Sequence, residues 1–263
     1  MSLIEAIILG IIQGLTEFLP VSSSGHLELA QAIAGNENNA ERNLLFTIVV
    51  HGATAFATLV VFRADVWSIV RGLFQFTNNE STQFSLRIVL SMIPATFVGY
   101  FFEDTISSQF FGNTLLVGFM LLITAGLLYI ANKPTQNRAN VSLSSAWWIG
   151  IAQAFAILPG ISRSGSTIAI SLLLGVERDQ AARFSFLMVV PLIFGSMAKK
   201  IYDGGLEQEV LNLTPILAGF VAAFFSGYLA CQWMIALVKR SQLSYFAYYC
   251  ALVGTIALVT PLL

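Results

Sequence analysis

The chain has 263 residues, 56% of them hydrophobic and only 10% charged, with a formal net charge of -1 at pH 7. A soluble domain carries about 25% charged residues, so the composition argues against a soluble fold. The near-neutral balance offers nothing to nucleic acid and no whole-protein field to steer an anion, so any anion must be met by local charge.

The first segment, residues 3 to 35, is apolar at both ends but interrupted centrally by Pro20, Ser22, Ser23, Ser24 and Gly25. It carries Glu5 and Glu17 and lacks a basic leader region and a cleavage pattern, so it reads as structure rather than a signal peptide. Backbone groups freed by such a break cannot face lipid unsatisfied; they survive at membrane depth only where protein or a polar cavity covers them. The segment is therefore expected to be a re-entrant helical hairpin with its tip turned inward. Three full spans follow, over residues 44 to 62, 84 to 102 and 114 to 131. Between the first two, the stretch from Trp67 to Phe76, with Arg63 and Arg71 close by, suits a short interfacial helix or a plain loop. A second broken segment, residues 145 to 175, is interrupted at Pro159 and Gly160, and spans at 183 to 201, 212 to 238 and 243 to 262 complete the chain. Cys231 and Cys250 lie in apolar spans without metal or redox spacing and read as small buried hydrophobes.

Shifting the sequence by 140 positions superposes the two broken segments. Gln13 falls on Gln153, Ser22 on Ser162, Ser24 on Ser164, Gly25 on Gly165, Gly35 on Gly175, Glu37 on Glu177, Phe46 on Phe186, and Val49 and Val50 on Val189 and Val190. Each half, about 1–131 and 141–263, then holds one hairpin and three spans. An odd number of crossings inverts the second half, the arrangement in which two broken elements meet near the bilayer midplane. The expected fold is an all-α membrane protein, an inverted-topology repeat forming one polytopic domain. Arg63, Arg71, Arg87, Lys133, Arg138, Arg178, Arg183, Lys239 and Arg240 fall on one side, against Arg42, Lys199 and Lys200 on the other, which places the first set in the cytoplasm. Both termini and the acidic loop at Glu103 and Asp104 then face outside.

Arg163 is the one basic residue expected at membrane depth. Burying a guanidinium there costs about 2.5–3.5 kcal/mol or more, so it marks function unless a structural partner accounts for it. Ser162, Ser164, Ser166 and Thr167 crowd around it in LPGISRSGSTIA, residues 158 to 169, a composition suited to an oxyanion. A guanidinium gives phosphate two parallel charge-assisted hydrogen bonds, though a carboxylate would also fit. In the first hairpin QGLTEFLPVSSSGHL, residues 13 to 27, places Gln13 one helical turn before Glu17, and His26 just past the serines. If the hairpin tips meet, a carboxylate, hydroxyls, an imidazole and a guanidinium converge, the set phosphoryl transfer needs. His51 and Gly52 sit mid-span, where the imidazole serves packing or supports the site from behind; Glu28 and Gln31 belong at the cavity mouth.

These two motifs resemble those of the undecaprenyl-diphosphatase family, also called the bacitracin-resistance protein family, and the resemblance covers nearly the whole chain. It rests on the acid-bearing helix running into Pro20–His26 and on Pro-Gly-Ile-Ser-Arg-Ser, Pro159 to Ser164. The resemblance implies hydrolysis of undecaprenyl diphosphate to the monophosphate in the bacterial cytoplasmic membrane, in the service of peptidoglycan synthesis and bacitracin resistance. It implies Ser23 as nucleophile, His26 as general acid or base or as an alternative nucleophile, Glu17 as the motif acid, and Arg163 with Ser22, Ser162, Ser164 and Thr167 as the phosphate clamp. It also implies a divalent cation, Mg or Ca, at Glu17 and Gln13. The family often has Glu where Gln13 stands, so a two-carboxylate metal site is in doubt. A homodimer is carried as a further expectation, and a lipid-carrier transporter as the rival function.

Overall fold

A computed structural model describes residues 1–33, 44–110, 112–132, 140–202 and 213–259; Gly35, Glu37, Arg42, Lys133 and Arg138 lie outside the described residues. All the elements among the described residues are α-helices: α1 (Leu3–Phe18), α2 (Ser23–Ile33), α3 (Leu44–Val61), α4 (Arg63–Leu73), α5 (Glu80–Phe101), α6 (Glu103–Phe110), α7 (Thr114–Ala131), α8 (Leu143–Phe155), α9 (Arg163–Leu173), α10 (Arg178–Tyr202), α11 (Leu213–Lys239) and α12 (Ser244–Val259). Four of them, α5, α7, α10 and α11, are long and apolar enough to cross a membrane. The chain is an all-α, multi-pass membrane protein.

Both broken segments fold as helix, turn, helix. α1 starts on a capping box between Ser2 and Glu5 and stops at Phe18, because residues before a proline are pushed out of the helical region and Leu19 is extended. α1 has 16 residues and α8 has 13. At about 1.5 Å per residue, roughly 24 and 20 Å, neither alone spans a hydrocarbon core of about 30 Å. Their partners α2 and α9 are shorter still, with 11 residues each.

Three details depart from the sequence reading. The stretch is a helix and not a plain loop, but α4 covers Arg63–Leu73 rather than Trp67 to Phe76, and it turns off the end of α3 by 81°. Its Trp67, Phe74 and Phe76 flank are strongly exposed, as expected of a helix lying along a membrane surface. The acidic loop at Glu103 and Asp104 is itself the start of a helix, α6. α12, read as a full span, is an apolar helix of only 16 residues within the described chain.

The halves interlock instead of standing side by side. α1 packs most extensively on α11, while its counterpart α8 packs on α5, and α7 pairs with α12. Small residues permit the close approach that van der Waals packing in a membrane requires. A Cβ on Gly10 would lie 2.5 Å from the Gly219 carbonyl oxygen, and one on Gly14 would lie 2.0 Å from Ser226 Oγ. In the other half, Gly150 stands at the position equivalent to Gly10, and a Cβ there would meet the Ser91 carbonyl oxygen at 2.4 Å.

Side-chain contacts sort the helix ends into two groups. Arg183, near the start of α10, reaches Asp65 of α4 at 2.7 Å and lies 5.0 Å from the ring centroid of Phe84 on α5. Lys239 at the end of α11 reaches Asp179 at 2.8 Å, so these basic residues gather at one end. At the other end Lys199 of α10 sits over the Tyr100 ring of α5 at 5.5 Å. This division follows the one drawn from the basic-residue bias.

Replacing Gly14 with Ala, which drives a methyl into Ser226 and the Ala223 carbonyl, should cost about 1–3 kcal/mol of stability. Gly126→Ala, where no atom lies within 4 Å, should be neutral or slightly stabilising. Thermal unfolding of both variants in detergent measures the contrast.

Candidate active site

The two hairpin tips touch. A Cβ on Gly25 would lie 3.1 Å from the Gly160 Cα, and one on Gly165 would lie 3.1 Å from the Pro20 Cβ. The turns are built alike. Ser22 Oγ accepts from the Gly25 N–H at 3.3 Å and lies 3.4 Å from Ser24 Oγ. Ser162 Oγ accepts from the Gly165 N–H at 3.1 Å and lies 3.4 Å from Ser164 Oγ. α2 and α9 thus both start at the tips, aiming the positive ends of their backbone dipoles into the contact region. Ser22 holds φ 71, a left-handed conformation uncommon for a residue with a side chain. Such strain persists only where the surroundings enforce it.

Glu17 is the centre of the site. Its side chain is 3% exposed and forms an ion pair with Arg163 across the two halves. The other carboxylate oxygen accepts from Gln13 Nε2 at 2.8 Å and from Ser23 Oγ at 3.0 Å. His51 Nε2 lies 3.9 Å from that same oxygen, and its Nδ1 lies 2.8 Å from the Thr47 carbonyl oxygen. The charges compensate each other, and the carboxylate is held by three further polar side chains, which is what lets an ion pair persist away from water.

A cavity opens beside the pair, lined by Glu17, Arg163 and Ser164 with Thr54, Thr58 and Ser185. The structure therefore unites Gln13, Glu17, Ser23, Arg163 and Ser164. Other expected residues take different places. Ser22 and Ser162 serve as the turn caps just described. Thr167, fully buried, donates to the Arg163 carbonyl oxygen at 2.8 Å and makes a close hydroxyl contact with Ser185, so it acts on the cavity through that residue. His26 turns away from the carboxylate: its Nδ1 is 2.8 Å from the Ser22 carbonyl oxygen and its Nε2 is 2.8 Å from Tyr249 Oη.

Sequence reasoning missed Thr54, Thr58, Ser185 and Tyr249. The two threonines carried a signal, since Thr47, His51, Thr54 and Thr58 form a polar stripe at helical spacing along an otherwise apolar span. Ser185 and Tyr249 carried none.

Among the described residues no three His, Cys, Asp or Glu side chains cluster in a way that could hold a metal ion. Gln13 Oε1 is nevertheless buried without a hydrogen-bond partner, next to the Glu17 carboxylate. One carboxylate, one amide oxygen and a serine hydroxyl are hard ligands compatible with Mg, which binds through one or two carboxylates when phosphate oxygens and water complete its shell. The donors fit a cation that arrives with a phosphorylated ligand.

Fold and site together define a polytopic membrane protein with a buried carboxylate–guanidinium centre, flanked by hydroxyls, where two broken helical segments meet. Residues 6–256 match the family described as bacitracin resistance protein BacA, and the chain belongs to that family. A protein of Christiangramia forsetii named undecaprenyl-diphosphatase is 57% identical over 259 residues, covering 98% of each chain. One of the same name from Bacteroides fragilis is 51% identical over 262 residues, covering 97% of each. Another, from Methanobrevibacter smithii, is 38% identical over 272 residues, covering 97% of this chain and 96% of that one.

Removing one partner of a buried pair strands the other charge and costs about 3–5 kcal/mol, whereas removing both costs far less. Arg163→Met and Glu17→Leu should therefore each destabilise the protein more than the double variant does. A double-mutant cycle of detergent unfolding measures this coupling.

Proposed function

We propose that the chain hydrolyses undecaprenyl diphosphate to undecaprenyl monophosphate and inorganic phosphate, recycling the lipid carrier of cell-wall synthesis. The observation that carries the reading is the Ser23 hydroxyl donating to the buried Glu17 carboxylate, beside a guanidinium that can receive phosphate oxygens. A carrier protein needs a clamp, but a hydroxyl engaged with a carboxylate is an activated nucleophile.

The site needs to hold only the diphosphate head, while the prenyl tail stays in lipid. Arg163 exchanges part of its contact with Glu17 for the terminal phosphate, presenting its planar fork to two oxygens. Ser164 and the start of α9 add donors. Ser23 Oγ attacks the terminal phosphorus, its proton passes to Glu17, and the bond from that phosphorus to the bridging oxygen breaks, releasing undecaprenyl monophosphate, which takes the proton from Glu17 and leaves it a carboxylate again. Water then cleaves the phosphoserine ester with Glu17 as base, freeing inorganic phosphate. A divalent cation held by Glu17 and Gln13 supplies charge screening of the diphosphate when bound. The sequence reading gave Ser23 an imidazole helper in His26; the hydrogen bond from Ser23 to Glu17 favours the carboxylate as immediate base.

The inner bacterial membrane is the proposed location, with both termini and the head-group entrance on the outer face. Cysteine labelling of intact cells reads the sidedness. Lys133→Cys should react only from the cytoplasm and Glu103→Cys only from outside; the reverse pattern moves substrate entry to the inner leaflet.

Purified protein in detergent with Mg should release phosphate from a polyprenyl diphosphate, and Ser23→Ala and Arg163→Ala should each lower the rate by at least about 100-fold. Chelation with EDTA should stop turnover, and added Mg should restore it. Binding of the lipid without phosphate release would replace this reading with lipid-carrier transport.

A further inference from the structure

The mechanism leaves unused an imidazole that the fold holds with care. His26 is bonded on both nitrogens, to the Ser22 carbonyl oxygen and to Tyr249 Oη, each at 2.8 Å. A carbonyl oxygen only accepts, so Nδ1 carries a proton; in the neutral ring Nε2 is then the acceptor and the phenol is the donor. The ring is also stacked on Tyr249, with centroids 5.6 Å apart and planes 12° from parallel. Tyr249 comes from α12, more than two hundred residues away in sequence, and the next residue anchors the same tip, Cys250 Sγ lying 3.6 Å from the Pro20 carbonyl oxygen. The last helix of the second half thus grips the first hairpin at both ends of its turn.

We propose that Tyr249 is a positioning residue, whose phenol donates to Nε2 and fixes the ring plane of His26, while the Ser22 carbonyl oxygen on Nδ1 sets the tautomer. The proposal deepens the phosphatase reading and rests on it for its kinetic arm alone. Ser22 is the second half of the device. Its left-handed φ of 71 belongs to the turn that offers its carbonyl oxygen to Nδ1, which gives the unusual backbone a purpose beyond capping. The Nε2 lone pair and the phenolic proton are engaged with each other, so an entering water or phosphate oxygen reaches either group only by displacing that bond.

The chain has two histidines, so histidine-selective nitrogen labelling gives two imidazoles, assigned by comparison with His26→Ala. In the wild type the His26 signals should report a protonated Nδ1 and a hydrogen-bonded, unprotonated Nε2. In Tyr249→Phe, which keeps the stacked ring but loses the hydroxyl, the Nε2 resonance should move to that of a free ring nitrogen while Nδ1 stays protonated. Unchanged His26 resonances in Tyr249→Phe would overturn the proposal. This measurement needs no substrate, so it stands apart from the fate of the phosphatase reading. If phosphate release is found, Tyr249→Phe should lower kcat about fivefold to tenfold, the size of one hydrogen bond, with KM nearly unchanged. Introduced into His26→Ala, the same substitution should have no further effect; an equal loss in both backgrounds would show that Tyr249 acts independently of His26 and refute the positioning role.

Discussion

The ion pair between Glu17 and Arg163 is the constraint on which the rest of the structure depends. Each charge is expensive inside a membrane and tolerable only because the other is there. Their meeting requires two helices to break at membrane depth, the breaks to touch, and the chain to cover the backbone exposed at the turns. The serine caps at Ser22 and Ser162, the glycine contacts at Gly25 and Gly165 and the bracing by α12 all follow from that requirement. In the proposed reaction the pair is also what a phosphate would divide, an incoming oxyanion satisfying the guanidinium while the carboxylate becomes available to the Ser23 proton.

Chemistry and scaffold are thus built from the same residues at different distances from the cavity. Ser164 lines it, Thr167 supports Ser185 from behind, and Ser162 shapes the turn that carries Arg163. Gln13 has its amide nitrogen on Glu17 while its oxygen lacks a partner. The equivalent Gln153 is as deeply buried, but the position equivalent to Glu17 is Ile157. The repeat is a symmetry of topology and not of chemistry: one tip holds the carboxylate and the other the guanidinium.

Much of this was legible in the sequence because the bilayer leaves few choices. A helix broken by Pro and Ser in an apolar chain has to turn inward, and an arginine beside the break has to find an anion. The hairpins and the meeting of Glu17 with Arg163 follow from those two rules, and the clustering of basic ends follows from the bias of Lys and Arg toward one side. The orientation of His26 did not, because which nitrogen bonds to what depends on Tyr249, whose approach is a matter of tertiary packing with no periodic trace. The length of α4 and the helical start at Glu103 escaped for a related reason, since short helices at a membrane surface need few apolar residues and are decided by their neighbours.

The crossed packing of α1 on α11 and of α8 on α5 bears on how the protein is made. During synthesis the first hairpin is finished long before the helix that will cover its glycine face exists. Until α11 emerges, Gly10 and Gly14 have lipid or a temporary companion against them, and Glu17 waits for an arginine still inside the ribosome. The two halves lock only when almost the whole chain has been delivered, so assembly of the catalytic centre is one of the last events in the biogenesis of the protein.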